Sequence, residues 1–210
     1  MTRRVGLLGG SFNPAHGGHR GISRFALEAL DLDEVWWLVS PGNPLKPRAG
    51  MAPLAARYAS AVRAARGLPI RPTTIEARLG TRYTVETLTQ LVRRYPHVQF
   101  IWLMGADNLA QFHRWRDWRG IARRLAVAVI ARPGYDAAAR RAPAMGWLRR
   151  YVRPAARADQ WARWSLPALV LLHFQPDPRS ATSFRARHPD WHEQATPKAL
   201  RDRVTRRTII

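Results

Sequence analysis

The chain has 210 residues, no cysteine, and 35 Lys and Arg against 14 Asp and Glu, a formal charge of +21 at pH 7. That length suits one domain or one domain with a small appendage, and 46% hydrophobic residues suffice for a core and exclude wholesale disorder. Without cysteine there is no disulfide framework and no thiolate zinc site. No apolar run approaches the roughly 20 residues that span a bilayer, and the start is too short an apolar stretch for a signal peptide, so the cytoplasm is the expected location.

In chain order, Arg3–Leu8 reads as a short strand ended by Gly9-Gly10. Gly18–Leu30 has helical spacing, with Ile22, Phe25, Ala26 and Ala29 on one face. Val35–Val39 is a buried-strand pattern closed by Ser40-Pro-Gly-Asn-Pro44, and Pro53–Arg66 is Ala-rich and helical. After Ile70–Ile75, the spacing predicts a helix over Thr84–Tyr95 with a threonine cap. Val98–Met104 is an all-apolar strand ending in Gly105, followed by a Trp- and Arg-rich helix over Gln111–Arg124. Leu125–Ala131 is another buried strand, stopped by Arg132-Pro-Gly134. Residues 135–165 lack a clear period and read as a mobile insertion. Leu166–Phe174 reads as a strand, Ala181–Arg187 as a short helix and Pro197–Arg207 as a basic helix. Continuous apolar strands alternating with helices indicate an α/β fold, a Rossmann-like parallel sheet with helices on both faces. The expected organisation is a single domain over 1–210 with a C-terminal helical part from about 175. In such sheets ligands bind beyond the C-terminal strand ends.

The charge is uneven, with 14 basic and 6 acidic residues in 1–105 and 21 against 8 in 106–210. All basic residues but Lys46 and Lys198 are arginine, and Ala, Pro and Trp are abundant too. The excess therefore reads as compositional background with a general attraction for phosphates. No nucleic-acid motif accompanies it, and no specific nucleic-acid or membrane partner is expected.

The segment Gly9-Gly-Ser-Phe-Asn-Pro-Ala-His-Gly-Gly-His19 carries the chemistry. Gly9 and Gly10 let a ligand approach the backbone. The helix start near Gly17 turns free N–H groups and the positive dipole end toward that ligand. His16 and His19 lie one turn apart on the same side, so imidazoles and amide donors converge on what suits a polyphosphate. A zinc site is the other reading, but spacing shows no third ligand and a helix N-terminus disfavours cations. Lys46, one of two lysines in an Arg-dominated chain, marks a place where a compact point charge is wanted.

This segment resembles the nucleotidyltransferase superfamily signature, in which the first strand-to-helix turn ends in His-x-Gly-His or Thr-x-Gly-His. Later blocks are similar to one branch, the bacterial nicotinate-nucleotide adenylyltransferases. They are Ser40-Pro-Gly-Asn-Pro-Leu-Lys46, Glu76–Leu88 with Tyr83-Thr-Val-Glu-Thr-Leu88, Trp102-Leu-Met-Gly-Ala-Asp-Asn-Leu109, Val129–Tyr135 and Arg179-Ser-Ala-Thr-Ser-Phe-Arg185. The match is collinear from Val5 to about Arg185. Ser11 replaces the usual Thr, Asn13 the usual Asp, and Glu86 stands where Asp is common; the tail after Arg187 lacks the usual closing pattern.

The resemblance implies a nucleotidyltransferase fold and transfer of AMP from ATP to nicotinate mononucleotide. It implies that His16 and His19 contact the ATP phosphates, His19 nearest the α-phosphate. Ser11 and the Gly9-Gly10 backbone would hold phosphate oxygens, and Lys46 would sit near the reacting phosphates. Ser180, Thr182 and Arg185 would bind the β- and γ-phosphates, Asp107 past Gly105 the ATP ribose, and Arg132 would lie near adenine. Trp115 would stack on the pyridine ring, with Thr84 and the Arg116 backbone N–H binding the carboxylate. Magnesium is implied, bound mainly through ATP phosphates rather than a protein metal cage. The attacking phosphate is already largely ionised, with a pKa of roughly 6, so no general base is needed. Adenylyl transfer to nicotinamide mononucleotide or pantetheine phosphate is the near alternative, and a basic RNA-binding protein on an inactive nucleotide fold the distant one. The expected state is a monomer or small homo-oligomer.

Overall fold

A computed structural model describes residues 2–42, 50–131, 140–174, 191–192 and 200–209. Strand β1 (Arg3–Gly10) leads into helix α1 (Gly17–Ala29), then β2 (Glu34–Val39), α2 (Leu54–Ala64) and β3 (Ile70–Thr73). The short α3 (Ile75–Leu79) and longer α4 (Thr84–Arg94) precede β4 (Val98–Gly105), α5 (Ala106–Gln111), α6 (Trp118–Arg124) and β5 (Ala126–Ala131). The remainder holds α7 (Met145–Leu148), β6 (Val152–Arg153), β7 (Leu169–His173) and a pair of two-residue strands, β8 (Leu200–Arg201) and β9 (Thr208–Ile209).

Seven strands form one sheet in the order β3-β2-β1-β4-β5-β7-β6, and each of its pairings is parallel. Successive residues of a strand point to opposite faces, and the core divides accordingly. Val5, Leu7, Trp36, Leu38, Trp102 and Met104 join the side chains of α4 to α7 on one face. Leu8, Trp37, Val39, Ile101 and Leu103 join α1 and α2 on the other. Both faces are covered, which is why β2 and β5 are buried at every residue. Among the described residues no helix is long and apolar enough to cross a membrane.

Four expectations change. Thr84 is the first helical residue of α4 and not its cap: Tyr83 is the N-cap, and the Glu86 carboxylate accepts the N–H groups of Arg82 and Tyr83 (3.2 and 3.3 Å). The helix expected over Gln111–Arg124 is broken. A 3₁₀ turn (Phe112–Arg114) leads to an extended Trp115, and Asp117, at φ 44°, caps α6 by accepting from the Gly120 N–H at 3.1 Å. The aromatic spacing Phe112, Trp115, Trp118 imitates a helical face because those rings pack edge to face on one another.

Of residues 135–165, expected to be a mobile insertion, 140–165 are folded instead, and 135–139 lie outside the described residues. Their 3₁₀ turns (Ala155–Arg163) bury Ala158 and Trp161, whose indole N–H donates to the Leu30 carbonyl at 2.8 Å. Lastly, residues 200–209 form an antiparallel hairpin where a basic helix was expected. Asp202 is the reason: its buried carboxylate takes the N–H groups of Val204 and Thr205 (2.9 and 2.8 Å), a turn that competes with helix. The helix expected over Ala181–Arg187 lies outside the described residues.

Candidate active site

The strand order reverses between β1 and β4. The chain leaves β1 toward β2 on one side, while β4 and β5 extend the sheet on the other, opening a crevice beyond their C-terminal ends. The register Leu8 to Leu103 sets the ends of the two strands at the same level. Gly10 and the turn to α1 thus face Gly105 and the start of α5 across that crevice.

At the first of these ends His16 is the N-cap of α1. Its Nδ1 accepts the Gly18 N–H at 3.1 Å, and the His16 N–H donates to Nδ1 of His19 at 3.3 Å. The His19 N–H goes to the His16 carbonyl at 3.0 Å, and the two rings lie 4.0 Å apart. This revises the expectation of several free amide protons: in residues 16–19, three N–H groups are used internally. With Nδ1 accepting in both rings, a neutral imidazole must carry its proton on Nε2. Each histidine is thereby wired as a donor through Nε2, and the amides that could have held an anion instead fix the tautomer.

The turn is held from below by aromatic packing. Phe12, buried and at φ 47°, stacks on Trp37 (5.0 Å) and meets the His19 ring at 4.7 Å. The Trp37 N–H donates to the Ser23 hydroxyl (2.8 Å), which donates to the His19 carbonyl (2.9 Å). So a strand residue of β2 sets the rotation of α1 and hence of its histidines.

Two side chains that the sequence reading did not single out as functional tie the loops around the crevice. Arg57 of α2, 2% exposed, donates to the carbonyls of Ser11 (2.8 Å), Ser40 (2.7 Å) and Ala52 (2.9 Å), and burial lowers its pKa. Asn13 donates to the Gly50 carbonyl (2.9 Å) and accepts the Ala52 N–H (3.1 Å). An aspartate here could accept but not donate, which gives the Asn in place of the usual Asp a purpose. One arginine among many carries no signal in a chain this basic. Glu76, on α3, was likewise passed over. Burial pushes its carboxyl up to about 7, against hydrogen bonds from Ser40 and Thr87, and its Oε2 is buried with no partner among the described residues.

Across the crevice, the Asp107 carboxylate folds back over Gly105 in the first turn of α5, into the space a Cβ would otherwise take. Gly9 has a similar cause. A Cβ would meet the Trp102 indole at 2.7 Å, so this glycine admits a ring of the protein itself. Trp102 in turn meets Trp115 edge-on at 6.2 Å, and Trp115 meets Phe112 at 5.4 Å. The Arg116 guanidinium lies 4.6 Å over the Tyr83 ring and 3.9 Å from Glu86, joining this loop to the first turn of α4 where Thr84 stands. The structure therefore groups Gly9, Gly10, Ser11, His16 and His19 at one strand end and Gly105 and Asp107 at the next. Thr84, Trp115 and Arg116 form a third group around α4. Lys46, Arg132, Ser180, Thr182 and Arg185 lie outside the described residues.

Residues 7–187 match the model of the family described as cytidylyltransferase-like. A protein of Erythrobacter litoralis named "Probable nicotinate-nucleotide adenylyltransferase" is 62% identical over 209 residues, covering 100% of this chain and 95% of its own. The chain belongs to the cytidylyltransferase-like family, on its nicotinate-nucleotide adenylyltransferase branch. A Parvibaculum lavamentivorans protein of the same name is 52% identical over 184 residues, covering 88% of this chain and 92% of its own. In fold, the chain is similar to the nicotinic acid mononucleotide adenylyltransferase of Plasmodium falciparum complexed with NaAD. The TM-score is 0.62 at 14% identity, over 88% of this chain and 83% of that one.

Proposed function

We propose that this enzyme transfers AMP from ATP to nicotinate mononucleotide, giving deamido-NAD and pyrophosphate, in the cytoplasm and as a single nucleotidyltransferase domain. The observation that carries the reading is the pair of Nε2-donating histidines at the head of α1, at the point where the strand order reverses, in a chain 62% identical to a relative of that name. A 5′-phosphate oxygen of the mononucleotide attacks the α-phosphorus of ATP. A P–O bond forms, the bond to the bridging oxygen of the β-phosphate breaks, and pyrophosphate leaves with the electron pair. Both reactants are anions, so the chain's contribution is fixed donors that offset charge on the α-phosphate and the leaving group.

His19 and His16 serve as those donors, aligned by their Nδ1 contacts without reorganisation. The Gly9-Gly10 backbone and Ser11 hold neighbouring oxygens, and Asp107 accepts from the ATP ribose. Lys46, Ser180, Thr182 and Arg185 complete the phosphate contacts, with Arg132 beside adenine. Trp115 offers its face to the pyridine ring, and Thr84 and the Arg116 N–H offer donors to its carboxylate. Among the described residues no three His, Cys, Asp or Glu come together to hold a metal ion. The imidazole donors fit a cation already carried by ATP, magnesium being the natural one, which would neutralise phosphate charge. The test is pyrophosphate release with ATP and, in turn, nicotinate mononucleotide, nicotinamide mononucleotide and phosphopantetheine. The first should turn over fastest, and release from either other substrate at a higher kcat/KM would replace this reading.

A further inference from the structure

A cavity of about 400 Å³ lies beside β3, an edge strand of the sheet, two strands removed from β1. Apolar side chains such as Val62 and Ile70 line it together with Arg66, Arg71, Arg203 and Arg206. Four of its eleven lining residues are thus basic and none is acidic, in a chain where one residue in six is basic. The Arg71 charge is already met by Glu34 at 2.5 Å. Arg66, Arg203 and Arg206 make no ion pair among the described residues. Three positive charges, none with a counter-charge among the described residues, therefore line a concave surface with apolar walls, which concentrate their field.

Two of those arginines arrive from the far end of the chain and are fixed on arrival. The Tyr58 hydroxyl donates to the Arg201 carbonyl and accepts the Arg203 N–H, both at 2.9 Å. Asp202, 2% exposed, accepts at Oδ2 from the Thr73 and Thr74 hydroxyls (3.0 and 3.2 Å) and the Thr74 N–H (2.7 Å), fastening the hairpin to the end of β3. Arg206 is held at φ 60°, its N–H on the Asp202 carbonyl at 3.0 Å. A basic tail serving only solubility would need no such anchorage.

We propose that this cleft binds a small molecule bearing a di- or triphosphate group, at a site separate from the crevice, and that the C-terminal hairpin exists to present Arg203 and Arg206 to it. Guanidinium forks pair phosphate oxygens two at a time, and three uncompensated charges match a polyphosphate better than a single carboxylate. The volume is that of a small-ligand pocket, for which about 300–1,000 Å³ is usual; a nucleic acid would have to run beyond it.

Calorimetric titration with inorganic tripolyphosphate tests this on three full-length proteins: the natural chain, R66Q/R203Q/R206Q, and R78Q/R93Q/R94Q, which loses equal charge elsewhere. The crevice's own affinity for tripolyphosphate is common to all three and cancels in the comparison. The cleft variant should lose one binding event, with affinity weakened about ten-fold or more, while the control keeps it and both retain natural turnover. Equal binding in all three proteins, or equal weakening in both variants, overturns the proposal. So does a result in which the cleft variant weakens binding of a single-stranded RNA while no protein shows a second tripolyphosphate event. R66Q and R203Q, each a single exposed change, repeat the titration should the triple variant melt early.

Discussion

The two ends of the crevice are built in opposite ways. The phosphate end lies within eleven consecutive residues, Gly9 to His19, and the Nδ1 bonds of its histidines span two or three positions. The aromatic end is assembled across the sheet, with Trp115 against Trp102 of β4 and Arg116 over Tyr83, some thirty residues earlier. The first is therefore rigid by local wiring. The second depends on the register of strands and on the break in the chain at Asp117. On the proposed assignment, charge is handled where the contacts are local, and ring recognition where they are made across the sheet.

The largest test of that contrast is His19→Ala, which should cut turnover by about 10²–10³-fold, as loss of one preorganised donor does elsewhere. The loss should fall on kcat, while stability changes by about 1–2 kcal/mol, since the bond from the His16 N–H and the ring contacts with Phe12 and His16 are removed. Near-natural pyrophosphate release would separate the local wiring from the chemistry. Arg57→Lys strikes the strap that ties the loops at the phosphate end. A lysine cannot serve three carbonyls in the guanidinium geometry, and leaving buried acceptors unmet should cost about 3 kcal/mol in denaturant unfolding. An unchanged midpoint would show that the loops hold themselves.

Glu76 gives a pH signature. Its folded carboxyl, raised to about 7 by burial, holds its proton where the unfolded chain, at the ordinary 4.5, has lost it. The associated stability is present below about 4.5 and is lost as pH rises to about 7, a decline of up to about 3 kcal/mol. Melting between pH 4.5 and 8 should show that decline in the natural protein and a flatter profile in Glu76→Gln; identical profiles would place the ionisation elsewhere.

Gly9→Ala should cost about 1–3 kcal/mol by pressing a methyl into the Trp102 ring, and through that ring it should disturb Trp115 as well, linking the two ends. Trp115→Ala is the mildest: about ten-fold in KM for the mononucleotide, with KM for ATP little changed. A selective rise in KM for ATP would show that the aromatic end serves the other substrate.

Much of the architecture could be read along the chain because the continuous apolar runs of β2, β4 and β5 admit little but buried parallel strands. The histidine turn was legible for the same reason it is rigid, since its parts are neighbours. What misled the reading was periodicity produced by something other than a helix. Phe112, Trp115 and Trp118 recur at helical spacing as a ring cluster, and Leu200 to Arg207 resembles a basic helix until Asp202 is seen buried at the end of β3. A buried carboxylate and a solvated one are the same letter.

The sequence by itself determined the succession of the apolar strands β1, β2, β4, β5 and β7, the glycines and histidines after the first strand, and the family to which the chain belongs, because these rest on short-range pattern and composition. Tertiary structure alone decided that Trp37 of β2 packs beneath the histidine turn and holds α1 through Ser23. It alone decided that Arg57 straps three loops, that Gly9 yields its space to Trp102, and that the last residues turn back as a hairpin against β3. Those outcomes depend on which groups lose water and meet partners across the fold, and no local spacing encodes that.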